Sequence, residues 1–152
     1  MKRSTIVEII ALLFVILFLY TGISKLMEYT VFKEQIATSP LLAPISSWIA
    51  KVLPAIEIIV SVILFIPRTR LKGLYTSFVL MILFTGYIIA ILTLNEHIPC
   101  SCGGVIEQLS WKGHIVFNSA FIILSLIGII QEKRMRKQGP DSFKHQALAL
   151  PE

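Results

Sequence analysis

The sequence predicts an all-α membrane protein: a four-transmembrane-helix bundle with an outer amphipathic, re-entrant segment between helices one and two, and both termini cytoplasmic. Three observations predict it. The 152-residue chain is 55% hydrophobic and only 15% charged, with a mean hydropathy of +0.79, whereas soluble domains carry about 25% charged residues. Four apolar stretches have the length of a bilayer crossing, since roughly 16–22 residues at about 1.5 Å each match a hydrocarbon core about 30 Å thick. The basic residues gather on one side of those stretches. This composition excludes a disordered chain, a soluble enzyme domain and a disulfide-dense secreted module. The net charge of +5 on so apolar a chain belongs to the flanks of spanning helices, and no nucleic-acid partner is expected.

Helix one is expected at about residues 5–24, because Ile9 to Ser24 contains no charge. Lys2 and Arg3 ahead of it give it the look of a signal peptide, but the run is long for one and no small-x-small cleavage site follows Gly22-Ile23-Ser24. Helix two is expected at about 52–67, interrupted by Pro54 and Glu57. Helix three, about 73–95, and helix four, about 113–131, contain the uncharged runs Gly73–Leu94 and Ile115–Ile130. Strands of a β-barrel would alternate apolar and polar residues, and these stretches do not. The domain is therefore expected at 1–138, followed by a flexible cytoplasmic tail at 139–152.

Lys2, Arg3, Arg68, Arg70, Lys72, Lys133, Arg134, Arg136, Lys137 and Lys144 fall on one side, against Lys25, Lys33, Lys51 and Lys112 on the other. The positive-inside rule then places both termini and the Arg68–Lys72 loop in the cytoplasm. Trp48 and Trp111 fall at the outer interface, where indoles anchor. Between helices one and two, Leu26, Val31, Phe32 and Ile36 recur near helical spacing, predicting a short amphipathic helix on the membrane that Pro40 and Pro44 then break. Two polar residues inside the spans need partners. Glu57 is a carboxylate at membrane depth, and Lys25 at the outer end of helix one is its natural counter-ion, either as a bundle-stabilising pair or for proton handling. Asn118, about one turn into helix four, is either interhelical glue or part of a polar pocket. Gly22, Ser77, Gly86, Ser119, Ser125 and Gly128 are read as close-approach positions.

The second outer loop, NEHIPCSCGGVIEQLSWK, carries the candidate chemistry. Cys100 and Cys102 are the chain's two cysteines, and the predicted topology exposes both to the oxidising side. A Cys-x-Cys disulfide requires a tight turn, for which Pro99, Gly103 and Gly104 are suited. So small a ring is strained, and strained, exposed disulfides exchange readily. It clamps nothing beyond its own turn, which points away from a structural role. A helix opening at Gly103-Gly104 would favour a thiolate at Cys102. Alternatives stay open: an inert turn, or a metal or cofactor site from His97, Cys100, Cys102 and His114, whose spacing matches no zinc-ribbon template.

Tyr20-Thr-Gly-Ile-Ser-Lys25, Leu53-Pro-Ala-Ile-Glu57 and Cys100-Ser-Cys102-Gly-Gly104, in this order, resemble the MauE family, a group of DoxX-like four-helix membrane proteins. The text IPCSCGGVIEQLSWKGHIVFN is similar to the Bacteroidetes-type branch of MauE-like proteins. The likeness covers about residues 5–131. It implies membrane-bound redox maturation: MauE proteins are associated with production of the disulfide-rich methylamine dehydrogenase, and DoxX-like proteins with thiol or sulfur oxidoreductases. Cys100 and Cys102 match the family's cysteine pair, and Lys25 and Glu57 its polar membrane positions. Four-helix disulfide generators use a Cys-x-x-Cys and a second pair, whereas this chain has one Cys-x-Cys, so neither a quinone nor a metal cofactor is implied. The expected function is thiol–disulfide exchange, with a periplasmic thioredoxin-fold protein or a disulfide-containing client as partner alongside the lipid bilayer. The rival expectation is a non-catalytic membrane subunit or assembly factor that docks other membrane subunits.

Overall fold

The computed structural model describes residues 3–39, 42–94 and 111–147. They form five α-helices and one 3₁₀ turn, in the order α1 (Arg3–Met27), α2 (Tyr29–Thr38), the turn Ala43–Ile45, α3 (Ser46–Phe65), α4 (Arg70–Leu94) and α5 (Trp111–Ala147). No strand occurs among the described residues. Four segments are long and apolar enough to cross a membrane: Thr5–Met27, Ala43–Phe65, Arg70–Ala90 and Gly113–Lys137. The expected all-helical, four-span protein is what the chain forms.

The spanning helices close a ring in which α1 packs on α3 and α5, and α4 packs on the same two. On α1, Val7, Ile10, Phe14 and Phe18 are buried, three or four residues apart and so on one face. Phe14 stacks on Phe18 at 5.8 Å between ring centroids and meets Phe121 of α5 edge-on at 5.1 Å. Val60 and Leu64 of α3, Leu74, Leu80 and Met81 of α4, and Ile129 of α5 complete this core. The opposite faces are equally apolar: Leu12, Ile16, Ile59, Val62, Val79, Leu83, Val116 and Ile123 are exposed. Helices apolar on every side suit a hydrocarbon solvent, because packing gains nothing from hiding a leucine there.

Small and hydroxylated residues set the close approaches. A Cβ on Gly22 would stand 3.2 Å from Ile58 Cγ1 and 3.3 Å from the Pro54 carbonyl oxygen, so the α1–α3 seam depends on its absence. A Cβ on Gly128 would meet Leu74 and Ile10 at 3.2 and 3.3 Å. Ser61, Ser77 and Ser125 are buried and donate to carbonyls of their own helices, Glu57, Gly73 and Ile122, at 2.9, 2.8 and 2.7 Å. That satisfies each hydroxyl without a neighbouring helix. Two expected close-approach positions are not such: a Cβ on Gly86 meets nothing within 4 Å, and Ser119 is exposed, its hydroxyl donating to Ile115 O.

The boundaries differ from the expected ones at α3 and α5. The α3 helix begins at Ser46 and carries Pro54 in its interior, fully buried. A proline ends helices in water more readily than here, where packed neighbours support the turn it weakens. The α5 helix runs to Ala147, beyond the span that ends at Lys137 and into the tail expected at 139–152. The amphipathic segment forms as α2, with Phe32 and Ile36 buried against Ala50 of α3 and packed by Tyr29, Leu42, Ile49 and Leu53. Leu26 and Val31, expected on the same stripe, are exposed. At the other end of the bundle Arg136 of α5 donates to Pro67 O and Arg68 O at 3.4 and 3.1 Å and pairs with Glu132 at 3.0 Å. That contact ties the last turns of the spanning part of α5 to the α3–α4 connection.

Candidate functional site

At the end of the bundle where α1 stops and α5 starts, the helices part around a cavity of about 500 Å³. Its inner wall holds two buried charges, Lys25 and Glu57. Lys25 lies in the last turn of α1, and helical Cα–Cβ bonds tilt toward the N-terminus. The lysine side chain is therefore directed back into the bundle, where Nζ donates to Glu57 Oε1 of α3 at 2.5 Å. Gly22, one turn below Lys25, lets α3 come close enough for this, since its absent Cβ would lie 3.4 Å from Glu57 Cβ. Phe32 of α2 and Phe84 of α4 present ring faces to Lys25 Nζ, with centroids at 5.7 and 5.8 Å. An ammonium out of water gains from both the carboxylate and the ring quadrupoles.

Glu57 is 1% exposed. Its Oε1 is taken by Lys25, whereas Oε2 has no hydrogen-bond partner among the described residues. Thr21, also on the cavity wall, donates to Leu17 O at 3.0 Å. From α5, His114 and Asn118 stand one turn apart, both buried and both lining the cavity. Apart from Gln35 the rest of the lining is aliphatic and aromatic, and among the described residues Lys25 and Glu57 are its only Lys, Arg, Asp or Glu. The cavity thus presents a charge-neutral polar end, one open carboxylate acceptor and apolar walls.

Of the residues singled out in the sequence, Lys25, Glu57, Asn118 and His114 come together here, from three helices. His114, the helix-four member of the alternative metal set with His97, Cys100 and Cys102, is a buried member of the α5 wall. Cys100, Cys102 and His97 lie outside the described residues, as does the side chain of Trp111. Among the described residues no three His, Cys, Asp or Glu side chains cluster as a metal site would need. Sequence reading missed the aromatic contribution of Phe32, Phe84 and Trp48. Trp48 was legible as an interface residue, but nothing local in the sequence marks a phenylalanine that will face a lysine from another helix.

The chain's comparison with known proteins agrees with this architecture. The model of the family described as methylamine utilisation protein MauE matches residues 3–131, from the start of α1 into the last described helix. No curated protein and no solved structure matches. The matched stretch contains all four crossings almost whole, together with Lys25, Glu57, His114 and Asn118. The chain is a multi-pass membrane protein and belongs to the MauE family.

Proposed function

We propose that this protein is a thiol–disulfide exchange factor of a bacterial inner membrane, with Cys100 and Cys102 as the exchanging pair on the periplasmic side. It would support maturation of a periplasmic protein through a thioredoxin-fold partner or a disulfide-containing client. The membrane domain would comprise residues 1–138, with 139–152 as a cytoplasmic tail. The carrying observation is positional. Residues 95–110 join Leu94 of α4 to Trp111 of α5, at the opposite end of the bundle from the Arg136 contact and most of the basic residues. An extended chain covers at most about 3.6 Å per residue, so Cys100 lies within about 22 Å of Leu94. That keeps the pair near the end where Lys25 and Glu57 line the cavity. The excess of Lys and Arg at the far end supports a cytoplasmic position for that end and a periplasmic one for the cysteines. Family membership supports a link to methylamine utilisation, the process by which the family is described.

In the exchange, a thiolate of one cysteine attacks a sulfur of the partner's disulfide. The partner's other sulfur leaves as a thiolate and takes up a proton. The second cysteine then attacks the mixed disulfide, closing the Cys100–Cys102 bond and releasing the partner as a dithiol. Two electrons pass to the partner, and the reverse sequence oxidises it. Lys25 and Glu57 join α1 to α3 in the bundle beneath the loop, Asn118 lies on the loop-bearing α5, and the three are the groups that would pass protons.

A membrane-impermeant maleimide applied to spheroplasts tests this. Labelling of both thiols after mild reduction, and trapping of a mixed disulfide on Cys100→Ser or Cys102→Ser, are the expected results. Thiols that stay unreactive before and after reduction sink the proposal. Retention of full maturation activity by the Cys100→Ser/Cys102→Ser double variant would favour the docking or assembly role instead.

A further inference from the structure

We infer that the cavity between α1, α3, α4 and α5 is a binding site for a neutral membrane amphiphile whose head is a hydroxylated aromatic ring of phenol type, with Glu57 Oε2 as acceptor of its hydroxyl proton. The inference stands apart from the cysteine chemistry and needs no residue of the 95–110 segment.

Four observations carry it. The first is the orphaned oxygen. Glu57 is 1% exposed, lines the cavity, and leaves Oε2 with no hydrogen-bond partner among the described residues. A buried acceptor left unmade is costly, so a ligand that brings a donor gains that bond outright. The second is charge. Lys25 and Glu57 cancel, and among the described residues no other Lys, Arg, Asp or Glu lines the cavity. A carboxylate ligand would add an uncompensated negative charge in an apolar enclosure, and an ammonium a positive one. A neutral donor adds neither. The third is the wall. Phe32 and Phe84, already facing Lys25, and Phe117, on the same α5 as Asn118, put aromatic surface around the polar end, which suits a flat ring more than an alkyl alcohol. The fourth is the entrance. Trp48 and Leu83 line the cavity yet are 67% and 60% exposed, so its rim is apolar on the outer surface of the helices. Such a rim admits a molecule from the bilayer more readily than one from water. A volume of about 500 Å³ accommodates a ring with a short alkyl chain.

The test uses the full chain in phosphatidylcholine nanodiscs with a diazirine-bearing 4-octylphenol as photoprobe. Labelling should map by mass spectrometry to cavity residues such as Phe84, Ile49 and Phe117. Unlabelled 4-octylphenol should compete at least about tenfold better than octylbenzene, which lacks the donor, and better than octanoate or octan-1-ol. Leu83→Trp, at the rim and away from the ion pair, should lower cavity labelling about tenfold while leaving the folded fraction unchanged. Glu57→Gln should flatten the preference for the phenol over octylbenzene. Because that variant strands Lys25 and risks misfolding, Leu83→Trp is the deciding one. Equal competition by octylbenzene overturns the assignment of the hydroxyl. Preferential competition by octanoate overturns the charge argument, and preferential competition by octan-1-ol overturns the ring. Labelling confined to lipid-facing residues, or unaffected by Leu83→Trp, overturns the site, including the case in which a segment of this chain fills the cavity. Cys100→Ser/Cys102→Ser should bind the probe like the parent chain, so failure here and failure of the exchange reading are read separately.

Discussion

Lys25 and Glu57 join α1 to α3 at the end of the bundle where the cavity lies. The pair is buried and bonded at 2.5 Å, with two phenylalanine rings on the ammonium. Removing one member leaves the other charged and desolvated, which costs about 3–5 kcal/mol in buried pairs. Lys25→Met and Glu57→Leu are each expected to destabilise the protein by that amount in denaturant titrations in micelles. The double variant should recover most of the loss, because the bilayer-facing bundle then has no charge to compensate. A double variant as unstable as the worse single one would refute this account of the pair. The pairing itself was legible in the sequence, since a carboxylate and an ammonium at matching depth in neighbouring helices have few other partners. The unpartnered Oε2 was not, because it depends on how many donors converge on one atom from three helices.

At the scale of elements, helix contacts turn on which glycines face a neighbour. Gly22 and Gly86 look alike in the sequence, both inside apolar helices, and the structure separates them. A Cβ at Gly22 crowds Ile58, the Pro54 carbonyl and Glu57, whereas at Gly86 it meets nothing within 4 Å. Gly22→Leu should push α1 from α3 and cost about 1–3 kcal/mol. Gly86→Ala should be neutral or stabilise by up to about 1 kcal/mol, from helix propensity alone. Unfolding curves of the two variants under one condition check both. Apolar periodicity cannot make this distinction: it counts hydrophobes, and in lipid both the packed and the lipid-facing sides of a helix are hydrophobic. The same limit explains the α3 boundary. Pro54 and Glu57 look like interruptions in one dimension, yet both are buried in a continuous helix from Ser46 to Phe65. The amphipathic α2 was easier, since Lys33 and Glu34 among its apolar residues give it a polar side, although only Phe32 and Ile36 of the expected stripe reach the core.

The orientation of the whole molecule decides what its two ends can meet. At one end Arg136 caps carbonyls of Pro67 and Arg68, with Arg70, Lys72, Lys133 and Arg134 nearby in sequence. At the other, α2 lies against α3 and the cavity opens near the stems of the 95–110 segment. A cation-rich end resists translocation, so the basic end is expected in the cytoplasm and α2 at the periplasmic surface. Single cysteines in a Cys100→Ser/Cys102→Ser background measure this directly. Thr38→Cys, exposed at the end of α2, should react with an impermeant maleimide in intact spheroplasts. Pro67→Cys, exposed in the α3–α4 connection, should react only after the membrane is permeabilised. The reverse pattern would turn the native cysteines toward a reducing compartment, where a Cys100–Cys102 disulfide does not persist. It would then remove the exchange function while leaving the cavity and its proposed ligand in place, because a bilayer amphiphile reaches an apolar rim from either leaflet.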